Sequence, residues 1–450
     1  QMRNLKRALS LALAAIMLIG MMVVSASAAS YNDLTDKDQI VNKDAVSMLV
    51  SLGIIEGKPD GSYGPTENVD RAQMAKMLSV IMNKGVDNSA LYQSVNSGLT
   101  DITSHWAKGH INYCYTTGII AGRGTGTFDP SATVTALEAA KMLLVAVGYD
   151  PAIEGFEGAD WAINVSVRAD EQGIFEGFTK DLSAPLNRDD AALLIYNALD
   201  VEMIQSYTTN NYPIVYSDHR TILSDKYGVI KVEGVVTANE WAILDDDTDT
   251  ALQEGKTRIY NPDGILSTTG NTAVAQDSSA NVKTQVFNVS TPVDMLGKAV
   301  TMYVKKTTIL ADSTVYGAPV VSDVNTVIET GEKVTGGDSK DDDSLAALLK
   351  GTGLATDKAT EYYHNYEEVA IDSADVDDIM NVKGAALTVI DNDNDGYVNY
   401  VISVEKSLTH VSGVSSKNET TTLYGLPGDD VIDNEDIVTT ATDLTKGDVV

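Results

Sequence analysis

The amino-acid sequence predicts a multidomain protein in which an all-α helical bundle is followed by an all-β region of barrel- or sandwich-like modules. A short glycine-bounded motif recurs three times in the first 180 residues, each time at the end of a stretch with helical character. From about Tyr207 the helical periodicity gives way to short runs rich in Val, Thr and Tyr between Asn, Asp and Gly turns. The 450 residues are 43% hydrophobic, which supports two or three domains with substantial cores.

The first 28 residues have the pattern of a secretory signal peptide. A basic segment, 2–7, precedes an uncharged stretch from Leu9 to Val24, and Ala26-Ser27-Ala28 then supplies small residues for cleavage after Ala28. The alternative is a membrane anchor, but an apolar stretch of about 16 residues is short for a spanning helix. Because no later stretch is long and apolar enough to cross a bilayer, we expect a secreted chain without a membrane span.

The composition excludes nucleic acid as a partner. The chain has 64 Asp+Glu against 32 Lys+Arg, a formal net charge of −32, whereas binding to phosphate backbones requires a basic surface. Cys114 is the single cysteine, so the chain cannot form an internal disulfide. Since Cys114 lies on an apolar helical face with Ile111 and Tyr115, the pattern favours a buried structural thiol over a reactive one.

The repeated motif predicts three helix ends. Gly-Ile-Ile-x-Gly begins at Gly53 and at Gly118, and a variant begins at Gly173, at spacings of 65 and 55 residues. Each first glycine stands where the C-terminus of a helix favours a residue that tolerates positive φ.

A second helix is predicted to follow each motif after a turn-rich loop. Its start shows an N-cap residue with an acid or amide three positions later: Asp70 and Gln73, Thr135 and Glu138, Asn187 and Asp190. The first two pairs resemble capping boxes, whereas the third keeps only the acidic first turn.

These residues resemble the S-layer-homology domain. The resemblance covers residues 31–203 and includes Asp101 followed by His105-Trp106 in the second copy, and Trp161 in the third. It implies three repeats, 29–95, 96–149 and 150–205, in a pseudo-threefold helical bundle. It also implies grooves between repeats that bind secondary cell-wall polysaccharide, often with a pyruvate ketal. Because wall polymers are mostly anionic and the chain is acidic, attachment must come from specific local sites.

The resemblance implies that Arg71, Arg188, Trp106, Trp161 and Asp101 bind the polysaccharide. An arginine at the first helical position is unfavourable beside the positive end of the helix dipole. A bound carboxylate, held by the guanidinium and by free helix N–H groups, would explain the choice.

Alternatives and departures from the pattern remain. The arginines could instead be surface cations paired with an acid such as Asp189, and the tryptophans could be core plugs as well as ligand contacts. The second copy has Ala136 in place of the arginine and the first has Val41 in place of the tryptophan, so we expect one or two grooves to bind.

The β-rich region is predicted to contain one module at 206–406 and the start of a second at 407–450. The second is inferred from an echo of Val232–Glu240 at Val411–Glu419. Because Val449 and Val450 have the pattern of a strand that has just begun, we expect the second module to be truncated and the protein to continue past residue 450.

One loop offers metal ligands. Asp391, Asp393 and Asp395 alternate before Gly396, as in a calcium loop, but the twelfth position is Ile402 rather than Glu, so it is no EF-hand. The alternatives are a plain Asn/Asp-rich hairpin turn and a calcium site. We find no catalytic motif, and we predict that the protein is not an enzyme.

The sequence therefore predicts a surface (S-layer) protein of the cell wall. The repeats would hold it to the wall without a covalent bond, and the β-region would project outward and self-associate into an array. The alternative is the anchor and spacer of a larger surface enzyme or adhesin whose working domain lies beyond residue 450.

Overall fold

A computed structural model describes nine segments of the chain. They are residues 31–244, 251–265, 282–305, 313–330, 345–369, 385–405, 411–415, 420–423 and 431–433. The predicted signal peptide, 1–28, and the predicted strand start at Val449 and Val450 lie outside them. The chain divides into two compact units: residues 1–241, 251–295 and 299–322 form the first, and residues 242–250, 296–298 and 323–450 the second.

Six helices come first in the first unit: α1 (Lys43–Ser51), α2 (Arg71–Met82), α3 (Lys108–Thr116), α4 (Ala136–Val147), α5 (Trp161–Glu171) and α6 (Arg188–Leu199). The repeated glycines Gly53, Gly118 and Gly173 follow α1, α3 and α5 with φ of +69°, +79° and +69°, which confirms their predicted left-handed conformation. Among the described residues, no helix has both the length and the apolar character that crossing a bilayer requires.

The predicted helix starts are confirmed at α2, α4 and α6. Asp70 and Thr135 form complete capping boxes, each with the side chain three residues on bonded back to the cap N–H. Asn187 accepts a hydrogen bond from the N–H of Asp190. Each cap therefore satisfies backbone donors that the first turn of a helix leaves without an intrahelical partner.

The segments that precede α2, α4 and α6 exchange backbone hydrogen bonds in a closed ring. Val69 N–H donates to Leu186 O at 2.8 Å, Leu186 N–H donates to Val134 O at 2.7 Å, and Val134 N–H donates to Val69 O at 2.9 Å. All three side chains are buried. The ring thereby ties the starts of the three helices together.

An antiparallel hairpin and a five-stranded antiparallel sheet complete the first unit. The hairpin joins β1 (Ile204–Tyr207) to β2 (Pro213–Val215). The sheet has the order β5-β4-β3-β6-β7, with β3 (Val229–Ala238), β4 (Thr257–Tyr260), β5 (Thr284–Phe287), β6 (Ala299–Lys305) and β7 (Val315–Val321). The predicted strands at Val229–Thr237 and Ala299–Lys305 are confirmed as β3 and β6.

The sheet shares its core with the helices. Tyr227, Val229 and Tyr303 belong to the same buried cluster as the apolar faces of α1 to α6. The predicted boundary between residues 205 and 206 remains a prediction, and the compact units divide the chain elsewhere.

The second unit holds a mixed five-stranded sheet and a separate three-stranded sheet. The first has the order β10-β9-β12-β11-β8, built from β8 (Thr326–Glu329), β9 (Glu361–His364), β10 (Glu367–Glu368), β11 (Ala385–Asp391) and β12 (Tyr400–Glu405). The second joins β13 (Val411–Ser415), β14 (Thr420–Leu423) and β15 (Val431–Asp433). The echoing segments around Gly234 and Gly413 thus lie in β3 and β13, while the division into modules stays a prediction.

The fold is a mixed α/β multidomain arrangement, and two parts of the prediction need correction. Every sheet among the described strands is open, so the barrel-like modules are not confirmed. The β-rich region is not all-β, because it also contains the π-helix Leu223–Tyr227 and the short helix α7 (Leu345–Leu349). Short helices of this kind leave no long periodic signal in the sequence.

Candidate functional site

A cavity of about 530 Å³ opens beside the N-terminal end of α4. The loop 119–124, the first turns of α4 and the start of α5 line it, and Arg71 reaches it from α2. Its lining residues are Arg71, Ile119, Ile120, Ala121, Gly122, Arg123, Gly124, Glu138, Lys141, Met142, Phe156, Glu157, Gly158 and Trp161. We call this cavity the Arg71 groove.

Arg71 is a buried cation held in one orientation. Its Nε donates to Phe128 O at 2.9 Å, its Nη2 donates to Ala121 O at 2.8 Å, and its guanidinium carbon lies 4.4 Å from the centre of the Phe128 ring. Burial, with a smaller contribution from Arg123, lowers the pKa of Arg71 to about 10, so it stays charged at neutral pH. Within the described part of the chain its Nη1 makes no hydrogen bond, which leaves a donor for a groove ligand.

The helix N–H groups that were expected to help hold an anion are already occupied. The N–H groups of Arg71 and Ala72 donate to Ala132 O and Pro130 O, and the N–H of Gln73 donates to Asp70. The first turn of α6 is satisfied in the same way. The expectation of a shared guanidinium and helix-terminus site is therefore wrong, and side chains must supply the donors.

The Arg71 groove is locally cationic in an acidic protein. Three of its described lining residues are cations, Arg71, Arg123 and Lys141, and two are acids, Glu138 and Glu157. Arg123 Nη1 lies 3.0 Å from Glu138 Oε1, and Lys141 Nζ donates to Phe156 O at 2.6 Å. The local balance is thus opposite in sign to the net charge of −32, which favours an anionic ligand here.

The two candidate tryptophans lie in different environments. Trp161 is half-buried, lines the Arg71 groove, and has Lys141 Nζ 5.7 Å from its ring centre. Trp106 is 56% exposed and its ring lies 5.6 Å from His105 and 6.3 Å from His110. A core plug is therefore the wrong interpretation for Trp106, whereas Trp161 both packs against the core and faces the groove.

Arg188 repeats the arrangement of Arg71 on another loop. Its Nε donates to Tyr63 O at 2.8 Å and its guanidinium carbon lies 4.8 Å from the Tyr63 ring centre. Tyr63 and Phe128 occupy equivalent loop positions. The alternative of a pair with Asp189 is wrong, because the Asp189 carboxylate accepts from the backbone N–H groups of Val41 and Asn42.

Asp101 holds a loop and is not among the lining residues of the Arg71 groove. Its carboxylate accepts from the N–H groups of Phe128 at 2.9 Å and Asp129 at 2.7 Å. Partial burial opposes ionisation, but these N–H groups outweigh it, so the pKa of Asp101 lies below its usual value. Phe128 accepts a hydrogen bond from Arg71 and stacks against its guanidinium. By fixing the loop that contains Phe128, Asp101 therefore helps to position Arg71 in the groove.

Sequence reasoning missed the equivalent acid in the first copy. Asp36 accepts from the N–H groups of Tyr63 at 2.7 Å and Gly64 at 2.8 Å, as Asp101 does for its own loop. The sequence spacing could have identified Asp36. It precedes Val41, which stands in the tryptophan position of the first copy, by the same interval as Asp101 precedes Trp106.

A serine–histidine–aspartate series lies outside the groove. Ser79 Oγ is 2.6 Å from His110 Nδ1, and His110 Nε2 is 3.6 Å from Asp87 Oδ2. Ser79 is only 5% exposed and its hydroxyl also donates to Lys76 O, so a substrate cannot reach it. The series packs α2 against α3 and offers no usable nucleophile.

The candidate calcium loop joins β11 to β12. Carboxylate oxygens of Asp391, Asp393 and Asp395 lie within 4.8 Å of one another. Asp391 is buried and accepts from the N–H groups of Asn394 at 2.8 Å and Gly396 at 3.1 Å, as an Asx-type turn does. The loop is thus a connection between antiparallel strands, and calcium binding stays a prediction.

Comparison with known proteins identifies the helical region. The model of the S-layer homology domain matches residues 30–75 and 98–140. The chain carries S-layer homology domains. The predicted third repeat, 150–205, lies outside the matched residues and remains a prediction.

Curated relatives are surface proteins and some enzymes. A cell surface protein of Thermoanaerobacter kivui is 26% identical over 394 residues, which cover 87% of this chain and 44% of that protein. An S-layer protein of Bacillus licheniformis is 33% identical over 113 residues, 25% of this chain and 12% of that protein. The exoglucanase XynX of Acetivibrio thermocellus is 28% identical over 186 residues, 38% of this chain and 16% of that enzyme.

The chain thus spans less than half the length of these relatives. With its S-layer homology domains it is a secreted, cell-wall-associated surface protein.

Proposed function

We propose that the helical region anchors this surface protein to secondary cell-wall polysaccharide without a covalent bond, through the Arg71 groove. The observation that carries the proposal is the buried, charged guanidinium of Arg71, which faces the groove with Nη1 available. A carboxylate on the polymer, such as that of a pyruvate ketal, would accept a charge-assisted hydrogen bond from it. Trp161 offers an apolar surface for a sugar ring, and Lys141 a second cation.

We further infer that the three repeats form a pseudo-threefold bundle with a second groove at Arg188. The closed ring of hydrogen bonds among Val69, Leu186 and Val134 supports this arrangement, and so does the repeated stacking of Arg188 on Tyr63. Trp106, at the sequence position equivalent to Trp161, belongs to that second groove. The third position has Ala136 and Val41 instead of arginine and tryptophan, so it lacks the groups that bind an anion and a sugar.

Sedimentation of the mature chain, 29–450, with purified cell-wall sacculi tests the anchor. Each lost charge-assisted contact costs about 1.5–3 kcal/mol, so Arg71→Ala should weaken binding roughly ten- to a hundredfold. Arg71→Lys should not restore it fully, because an ammonium lacks the planar fork. Arg188→Ala reports on the second groove, and the double variant should bind least.

The matched control is Arg220→Ala, since Arg220 pairs with Asp218 away from the groove. Because Arg71 is buried, its variants must keep the thermal unfolding midpoint of the wild type, and Trp161→Ala tests the groove from its more exposed side. Sacculi stripped of polysaccharide should bind no form of the chain. Wild-type binding by Arg71→Ala, Arg188→Ala and Trp161→Ala would contradict the proposal.

For the remainder of the chain we propose lateral self-association into a surface array. The similarity to S-layer proteins supports it. The alternative, an anchor and spacer for a larger enzyme or adhesin, is favoured by similarity to an amylopullulanase and an exoglucanase. Ordered arrays on intact cells would support the first, and a catalytic domain encoded beyond residue 450 the second.

A further inference from the structure

Asp200 ends the last helix of the bundle at its contact with the five-stranded sheet. It is the C-cap residue of α6, where a carboxylate meets the negative end of the helix dipole. Its side chain is 30% exposed. It lines a cavity of about 360 Å³ together with Tyr196 of α6, Lys231 of β3 and Tyr303 of β6. The carboxyl group therefore lies at the junction between helices and sheet within the first unit.

The groups around Asp200 do not balance an ionised carboxylate. Lys231 Nζ is 3.8 Å from Asp200 Oδ2 but closer, at 2.9 Å, to Glu233 Oε1. The Tyr303 hydroxyl donates to Asp200 Oδ2 at 3.4 Å, and the Tyr303 ring packs edge-on against Tyr196 with centres 5.9 Å apart.

Further acids face the same cavity, namely Glu171, Glu176 and Glu202. An ionised Asp200 thus shares its nearest cation with Glu233 and faces a cavity lined by three further carboxylates. Protonation removes one negative charge from this junction and leaves the carboxyl able to hydrogen-bond with Tyr303.

We propose that Asp200 is a proton-operated latch, which tightens the junction between the helical anchor and the sheet when protonated and loosens it when ionised. The proposal does not depend on wall binding. Burial raises the pKa of Asp200 to about 6, against the opposing effect of Lys231. An unfolded Asp has a pKa of about 3.9, so between these values the folded state binds more protons. Stability is greatest below this window, falls as pH rises through it, and stays lower above it.

Thermal unfolding of the mature chain, 29–450, between pH 4.5 and 7.5 tests the latch. Asp200→Asn imitates the protonated carboxyl, so at pH 7.5 it should raise the unfolding midpoint of the first unit by about 5 °C over wild type. The difference between the two forms should shrink as pH falls to 4.5, because the wild-type carboxyl is then mostly protonated in the folded state. Asp170→Asn, a matched loss of an exposed acid on α5, should follow wild type at every pH. A lower midpoint for Asp200→Asn at pH 7.5, or an unchanged pH profile, would overturn the proposal.

Lys231→Met gives an independent readout should Asp200→Asn fail to fold. Removing the nearest cation should steepen the fall in stability between pH 5 and 7.5, and an unchanged slope would contradict the latch. Hydrogen exchange, corrected for the intrinsic rate at each pH, should show faster opening of β6 at pH 7.5 than at pH 5 in wild type. Equal corrected rates in wild type would also contradict it.

Discussion

Burying a guanidinium costs free energy unless its hydrogen bonds are made. Arg71 satisfies two of its nitrogens with the carbonyls of Phe128 and Ala121 and packs its charged plane on the Phe128 ring. This support fixes the orientation of the remaining donor before any ligand arrives, which lowers the ordering cost of binding. Phe128 and Asp101 therefore serve the groove indirectly, by holding Arg71 and its loop.

A prediction about the pH dependence of stability, in addition to that for Asp200, concerns His110. The ring is only 4% exposed and contacts Ser79 and Asp87. Burial, aided by Lys76 and opposed by Asp87, lowers the pKa of His110 below its usual value. The unfolded state then binds the proton more readily, so the contribution of neutral His110 is present above about pH 6.5 and is lost as pH falls.

His110→Gln keeps hydrogen-bonding capacity without a titrating ring. Between pH 7.5 and 5.0 its unfolding midpoint should therefore fall less than that of wild type in calorimetric scans. His364→Gln, in the second unit, controls for the loss of a histidine. Asp200 titrates in the same pH range and has the opposite effect on stability. Wild type and His110→Gln are therefore compared with Asp200 present in both. Equal falls in wild type and His110→Gln would show that His110 does not titrate on unfolding.

Residue positions were more predictable than residue contacts. The capping residues and the left-handed glycines follow from local backbone requirements, which a short motif records. The partners of Arg71 and Arg188 come from loops that lie 57 and 125 residues away. Since local patterns carry no information on such tertiary pairings, the stacking on Phe128 and Tyr63 could not be predicted from them.

At the scale of elements, Gly109 of α3 makes room for the connection between the first and second motifs, which is longer than the connection between the second and third. The turn Ser89–Tyr92 lies across α3, where a Cβ on Gly109 would come within 2.1 Å of Ser89 O. Asn112 then donates to Tyr92 O and Val95 O, both at 2.9 Å. The connection thus packs against α3, with only a glycine able to occupy position 109.

The loop between β11 and β12 carries the prediction for this scale. Burial and the neighbouring Asp395 raise the pKa of Asp393, so the carboxylates repel one another and a cation would relieve the repulsion. Without a bidentate Glu the affinity should be that of weak extracellular sites, a Kd of about 10⁻⁴–10⁻³ M. We expect millimolar calcium to raise the unfolding midpoint of the second unit.

Asp393→Asn with Asp395→Asn should abolish the calcium effect, whereas Asp263→Asn in an exposed turn of the first unit should leave it intact. Magnesium at the same concentration should act less, because it requires near-ideal octahedral ligands. If calcium shifts neither wild type nor control, the loop is a plain hairpin connection.

At the scale of the whole molecule, the sequence pattern changes from helical to strand-like near Tyr207. This marks a change of secondary structure, while the helices and the strands that follow share one buried core. Periodicity reports which face of an element is buried and does not report what buries it. The sequence therefore predicted β3 and β6 as strands, while their packing against the helices depends on contacts such as Tyr303 with Tyr196. The open sheets likewise follow from pairings between distant strands.

The shared core leads to a prediction about fragments. A fragment of residues 29–205 loses Tyr303 from the buried cluster, the β7 backbone beside Met48, and the Tyr227 hydroxyl that donates to Ile81 O at 3.2 Å. Each fully buried apolar side chain contributes about 1.5–3 kcal/mol, so its unfolding midpoint should lie at least about 5 °C below that of fragment 29–322. Below both midpoints the two fragments should bind sacculi alike, because the Arg71 groove is complete in each. Cooperative unfolding at equal temperatures would show instead that residues 29–205 fold independently and that the sheet adds nothing to the anchor.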